Sequence, residues 1–116
     1  MSEFEMKIQP NYLKLVRAGI KKHEYRLNDE KRQQVQPGDR IRLVSNDDPN
    51  DFVVVEVLDR RVFPSWDAAL INYWQEDFSG TYYPFEDLMT VMNAFYSGQD
   101  IAKYGIVVFG IKLVSE

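Results

Sequence analysis

Weak alternation of apolar and polar residues from Phe4 to Ile8 predicts a first strand. Pro10 then suits the first turn of a helix over Asn11 to Ala18, where Tyr12, Leu13, Leu15 and Val16 form an apolar stripe. Gly19 fits the left-handed residue that ends such a helix. The period then changes to two. From Lys22 to Leu27 a second strand puts Lys22, Glu24 and Arg26 on one face and His23, Tyr25 and Leu27 on the other. Asn28 to Val35 is polar, with room for one helical turn, and Gln36-Pro37-Gly38-Asp39 is a turn signal. Arg40 to Val44 reads as a third strand, with Ile41 and Leu43 opposite Arg40, Arg42 and Val44. After a turn cluster at Asn46 to Asp51, Phe52 to Leu58 is the most β-like run. Its Glu56 is either a solvated edge residue or a carboxylate facing a cleft.

The second half reads as helices followed by a strand. Ser65 is an N-cap for a helix to about Trp74, and a loop holding Asp77, Ser79 and Gly80 leads to Tyr82-Tyr83-Pro84. Pro84, Glu86 and Asp87 suit the first turn of another helix ending near Tyr96. Ser97-Gly98-Gln99-Asp100 has capping-box spacing with Asp in place of Glu. Tyr104 to Val114 is a long strand in which Gly105 and Gly110 permit bends or bulges. Strands and helices do not alternate regularly, which argues against a doubly wound parallel sheet. The expected class is α+β, a mixed β-barrel with helices covering its openings.

Charges at alternate positions of a barrel strand are poor core material, because an unpaired buried charge costs several kcal/mol, roughly. Either that face is solvated, or Lys21, Glu24 and Arg26 pair around a polar cleft. Gly19, Lys21, Glu24 and Arg26 match the Gly-x-Lys-x-x-Glu-x-Arg signature of the ASCH domain. The likeness continues through Leu27 to Arg32, Pro37-Gly38-Asp39 and the strand beginning at Tyr104-Gly105. The chain thus resembles the ASCH family over nearly its whole length, as a single domain spanning residues 1–116. That resemblance implies a PUA-like barrel and RNA binding or processing in a cleft lined by the signature residues.

On this reading Gly19, Lys21, Glu24, Arg26, Arg40 and Arg42 bind an RNA, nucleotide or nucleoside ligand. Arg40, Arg42, Lys31 and Arg32 suit phosphate positioning more than base reading. Tyr25, Tyr82, Tyr83, Tyr96 and Tyr104 include candidate stacking surfaces, each stacked base contributing about 1–3 kcal/mol. Some small ASCH proteins are similar in size and hydrolyse acetylated cytidine, using a threonine nucleophile at the motif's glutamate position; other members look like ribonucleases. Here that position is Glu24, so the threonine is missing. In a hydrolase Glu24 would activate water and Lys21 would stabilise the oxyanion. Glu76 or Asp77 falls roughly where that group's distant glutamate would lie.

Composition narrows these readings. Sixteen aromatics among 116 residues supply ample core for one domain. Cysteine is absent, which excludes disulfides and thiolate metal sites, and His23, the one histidine, has no ligand spacing around it. His23 reads as a strand surface residue, and neither metal nor cofactor is expected. No apolar run spans a membrane and no signal peptide is evident, so a cytoplasmic protein is expected. The net charge is −4 overall, yet residues 21–42 carry seven basic against four acidic groups. A local basic patch on an acidic body suits a short or nucleoside-sized ligand better than a long duplex. The acidic stretch from Val62 to Glu116 offers a third reading, a surface for a basic protein partner.

Overall fold

The computed structural model describes residues 2–78, 80–81 and 83–115 of the chain. Five strands are present: β1 (Glu3–Ile8), β2 (His23–Leu27), β3 (Arg40–Ser45), β4 (Phe52–Phe63) and β5 (Ile106–Ser115). The helices are α1 (Pro10–Arg17), α2 (Glu30–Gln33), α3 (Trp66–Phe78), α4 (Phe85–Phe95) and α5 (Gly98–Tyr104). The strands form one sheet in the order β1-β3-β4-β5-β2, with β1 and β3 parallel and every other pair antiparallel. This sheet curls into a half-barrel of the PUA-like type, with β1 and β2 as its two edges. The class is α+β, as the irregular mixture of elements implies.

Each face of the sheet carries its own core. Met6, Ile8, Ile41, Leu43, Val53, Val55 and Phe109 enclose Leu13 and Val16 of α1. On the other side, Tyr25, Leu27, Ile106 and Val108 pack against Trp66, Leu70, Phe78 and Leu88 of α3 and α4. Strand β5 serves both cores, which is why Ile106 to Ile111 is apolar without alternation. Fully burying one side chain such as Phe109 contributes about 2–3 kcal/mol.

Local signals explain the ends of the elements. Gly19, at φ +76°, closes α1 in a Schellman arrangement: Ile20 N donates to Leu15 O and Gly19 N to Val16 O. Asp29 caps α2 through Arg32 N, and Ser97 caps α5 through Asp100 N. Gly105 has φ +74°, and a Cβ there would lie 2.9 Å from Phe63 O. Gly105→Ala is therefore expected to destabilise by about 2 kcal/mol or more. Gly98→Ala, with open space around it, should stay within about 0.5 kcal/mol of the parent in the same urea titration. Equal midpoints for the two variants would remove the argument.

Three elements differ from expectation. Helix α3 runs on to Phe78 instead of stopping near Trp74, because Trp66, Leu70, Trp74 and Phe78 keep an apolar face at four-residue spacing. Asp77 is thus a helical residue, not a loop one. Strand β4 extends past Leu58 to Phe63, its charged end held by pairing with β5 and by Arg60. The Arg60 guanidinium donates to Arg32 O, Gln33 O, Val35 O and Asn28 Oδ1, tying β4 to the end of α2. The helix that the capping-box spacing at Ser97 opens, α5, takes in Tyr104, the expected start of the last strand; β5 starts only at Ile106. Tyr82 and Ser79 lie outside the described residues.

Candidate functional site

The edge strands β1 and β2 do not pair, and the gap between them is where the polar motif residues gather. Alternation along β2 sends Tyr25 and Leu27 into the α3–α4 core, leaving Glu24 and Arg26 on the other face. Lys21, in the link that follows Gly19, reaches the same place. Its Nζ donates to Glu24 Oε1 at 3.1 Å and to the His23 carbonyl. Glu24 Oε1 also accepts from Tyr25 N at 3.2 Å, while Arg26 Nη2 stands 3.4 Å from Oε2. Arg26 Nη2 then crosses the gap to Lys7 O of β1 at 2.6 Å. One guanidinium therefore bridges the two open edges of the half-barrel. The solvated-face alternative fails for this trio: the side chains of Lys21, Glu24 and Arg26 are only 4, 5 and 13% exposed.

Burial alone would raise the Glu24 carboxyl. The charges and hydrogen bonds of Lys21 and Arg26 outweigh it and hold the group below its usual value of 4.5. A depressed folded value means that the stabilisation from Glu24 is complete above about pH 4.5 and lost as pH falls through the lower folded value. Denaturant midpoints measured from pH 7 down to pH 3 should fall more steeply for the wild-type protein than for Glu24→Gln. Parallel curves would show that Glu24 is not held ionised.

A pocket of about 240 Å³ opens beside this trio. Its polar side is formed by Lys7, Gln9, Lys21, Glu24, Arg26 and Asn46, and its apolar wall by Tyr12, Tyr25, Trp66, Phe78, Met92 and Tyr96, among others. The arrangement offers an ionised acceptor, fixed cations and ring faces within one cavity. Those groups complement a planar heterocycle carrying N–H groups and an anionic substituent. As a general base Glu24 is weak, since two cations already stabilise its ionised form. Among the described residues no group of His, Asp and Glu has a metal-binding arrangement.

Other expected site residues lie elsewhere. Gly19 borders a second concavity with Lys22, Leu58 and Lys112. Arg40 and Arg42 are absent from the pocket lining and sit on the sheet face opposite Ile41 and Leu43. There the register aligns Glu3, Arg40, Glu56 and Lys112 across four strands as a row of alternating charge, and the Arg42 guanidinium covers the Phe52 ring at 3.9 Å. Glu56 thus belongs to an interior strand and faces neither an edge nor the pocket. Lys31 Nζ donates to Glu5 O, and Arg32 pairs with Asp29. Of the candidate stacking tyrosines, Tyr25 and Tyr96 line the pocket. Tyr83 packs on Tyr12 and Phe78, and Tyr104 donates to Glu30.

His23 and Asp77 correct the sequence reading most. Asp77 is fully buried and accepts from Lys22 N at 2.8 Å, from His23 Nδ1 at 3.0 Å and from the Tyr25 hydroxyl. His23 is accordingly no surface residue; it is half-buried, with its ring centroid 4.1 Å from that of Tyr73 at a tilt of 32°. Burial, then the Asp77 charge, pushes the Tyr25 phenol far above its ordinary value, so it stays a donor. Asp77 therefore ties α3 to the start of β2 and does not line the pocket, while Glu76 is exposed. Trp66, Met92, Lys7 and Asn46 were missed, since they reach the site from distant elements with no local motif to mark them.

The ASCH domain family model matches residues 6–115. The hypothetical protein PH0355 superposes with a TM-score of 0.81 at 34% identity, covering 97% of this chain and 99% of that one. Protein PF0455 from Pyrococcus furiosus gives 0.72 at 30% identity, covering 98% of this chain and 99% of that one. A mutant ASCH protein from Zymomonas mobilis shares the fold at a TM-score of 0.59 and 12% identity, over 96% of this chain and 72% of its own. No curated protein matches the chain. Among the described residues no helix is long and apolar enough to cross a membrane. The family match over residues 6–115 and the 34% identity across 97% of the chain agree: this protein belongs to the ASCH domain family.

Proposed function

We propose that the pocket between β1 and β2 binds one nucleotide of a single-stranded RNA, or a free nucleotide or nucleoside. The observation that carries this reading is Glu24, a buried ionised carboxylate clamped by Lys21 and Arg26 at the edge of an aromatic cavity sized for one base. Among the described residues Glu24 Oε2 has a single, long partner, Arg26, and so retains capacity to accept from a base N–H. Lys7 and Arg26 at the mouth supply positive charge for a phosphate. Binding is favoured over hydrolysis, because Glu24 is a weak base in this setting and Asp77 is committed to His23 and Tyr25.

The test is a titration of short single-stranded RNA at several salt concentrations, with Lys21→Ala and Lys7→Glu beside the wild-type protein. Affinity should fall with salt, and Lys7→Glu, an exposed residue whose change spares the core, should bind roughly ten-fold more weakly. Salt-insensitive binding that is equal in all three proteins would overturn the proposal. Incubation with acetylcytidine should leave it intact; turnover abolished by Glu24→Gln would restore the hydrolase reading.

A further inference from the structure

Trp66, at the first position of α3, has a side-chain donor that no described residue accepts. The residue is 3% exposed and lines the apolar end of the pocket, and its Nε1 is buried without an acceptor among the described residues. An indole has one donor, so its entire polar capacity is unmet there. Among the described residues, the other buried side-chain nitrogens without a partner belong to Arg32, Arg40 and Arg42, which have further N–H groups and lie outside this pocket. Trp74 shows the ordinary outcome on the same helix: its Nε1 donates to Tyr83 O at 2.9 Å. A buried donor left unpaired is costly, and an acceptor brought to it by a ligand removes that cost.

We infer that Trp66 is a specificity-determining residue whose indole N–H donates to a carbonyl oxygen on the base that enters the pocket. The inference rests on the reading of the pocket as a nucleotide site and names the class of base it takes. A carbonyl oxygen suits the position because it projects beyond the ring and accepts over a broad range of directions. The Tyr96 ring lies nearly parallel to the indole, with centroids 5.9 Å apart and an interplanar angle of 17°. Tyr96 follows α4, Val91 and Met92 belong to its second half, and all three are only half-buried. A base reaches the indole edge by displacing that cover, whereas the start of α4 stays fixed through buried Leu88. Glu24 accepts at the polar end and Trp66 donates at the apolar end, so the two select a base with both kinds of group.

The experiment follows the two indole N–H signals of the ¹⁵N-labelled protein by NMR during titration with UMP, CMP and GMP, with AMP as the carbonyl-free comparison. Every nucleotide of the first three that binds should move the Trp66 indole proton downfield, and the hydrogen-bonded Trp74 signal should stay in place. Trp66→Phe should weaken those nucleotides about five-fold and leave AMP unchanged. If they shift the amides of residues 21–26 while the Trp66 indole stays still and Trp66→Phe binds equally well, the inference falls and the pocket reading stands. If no nucleotide disturbs either set of signals, both fall. The wild-type indole signal decides the matter even where the Trp66→Phe protein does not fold.

Discussion

Lys21→Met is expected to lower the unfolding free energy by about 3–5 kcal/mol, the cost of stranding one charge of a buried pair. Glu24 would keep the Tyr25 amide at 3.2 Å and, of its two cations, only Arg26 at 3.4 Å, so less would offset the burial of its charge. In urea this corresponds to a midpoint lower by about 1–3 M. The double variant Lys21→Met/Glu24→Gln should recover much of the loss, because it removes both desolvated charges together. Should the single variant lose under about 1 kcal/mol, the Lys21–Glu24 pair is less buried than its 4 and 5% side-chain exposures state.

The second large effect is expected at Asp77. Asp77→Ala strips the acceptor from the Lys22 amide, the His23 ring and the Tyr25 hydroxyl at once. Leaving those buried donors unmet should cost about 3 kcal/mol or more, with Asp77→Asn milder because it keeps one acceptor oxygen. Glu76→Ala, one residue away and exposed, should change stability by less than about 0.5 kcal/mol. Tyr25→Phe separates the contributions: in a double-mutant cycle with Asp77→Ala it should couple by about 1 kcal/mol or more. Additive losses would mean that the phenol and the carboxylate act independently, which their geometry contradicts.

Much of the fold was legible because its signals are local. Pro10, Gly19, Ser65 and Ser97 mark helix ends through their own backbone and side-chain chemistry, and the alternation of β2 separates Glu24 and Arg26 from Tyr25 and Leu27 without help from distant residues. The errors fall where local and tertiary preferences compete. Asp77 in a polar stretch resembles a loop residue until Phe78 beyond it is seen to close an apolar face against Tyr12 and Tyr25. His23 looks solvated until α3 delivers a carboxylate to it.

Arg40 and Arg42 show the same limit for the site. Their basic character is plain in the sequence, but which face of β3 meets a ligand depends on how the sheet curls, and the register sets them between Glu3, Glu5 and Glu56. What the amino-acid order determined by itself is the shared face of Glu24 and Arg26, two residues apart on one strand; Lys21 joins them from the link before β2, through its Nζ on Glu24 Oε1. Whether that face met water or a cavity was decided only by tertiary structure. The half-barrel stops short of closing, and α3 and α4 wall the resulting gap with Trp66, Met92 and Tyr96. Those contacts join residues far apart in the chain, and no short-range pattern encodes them.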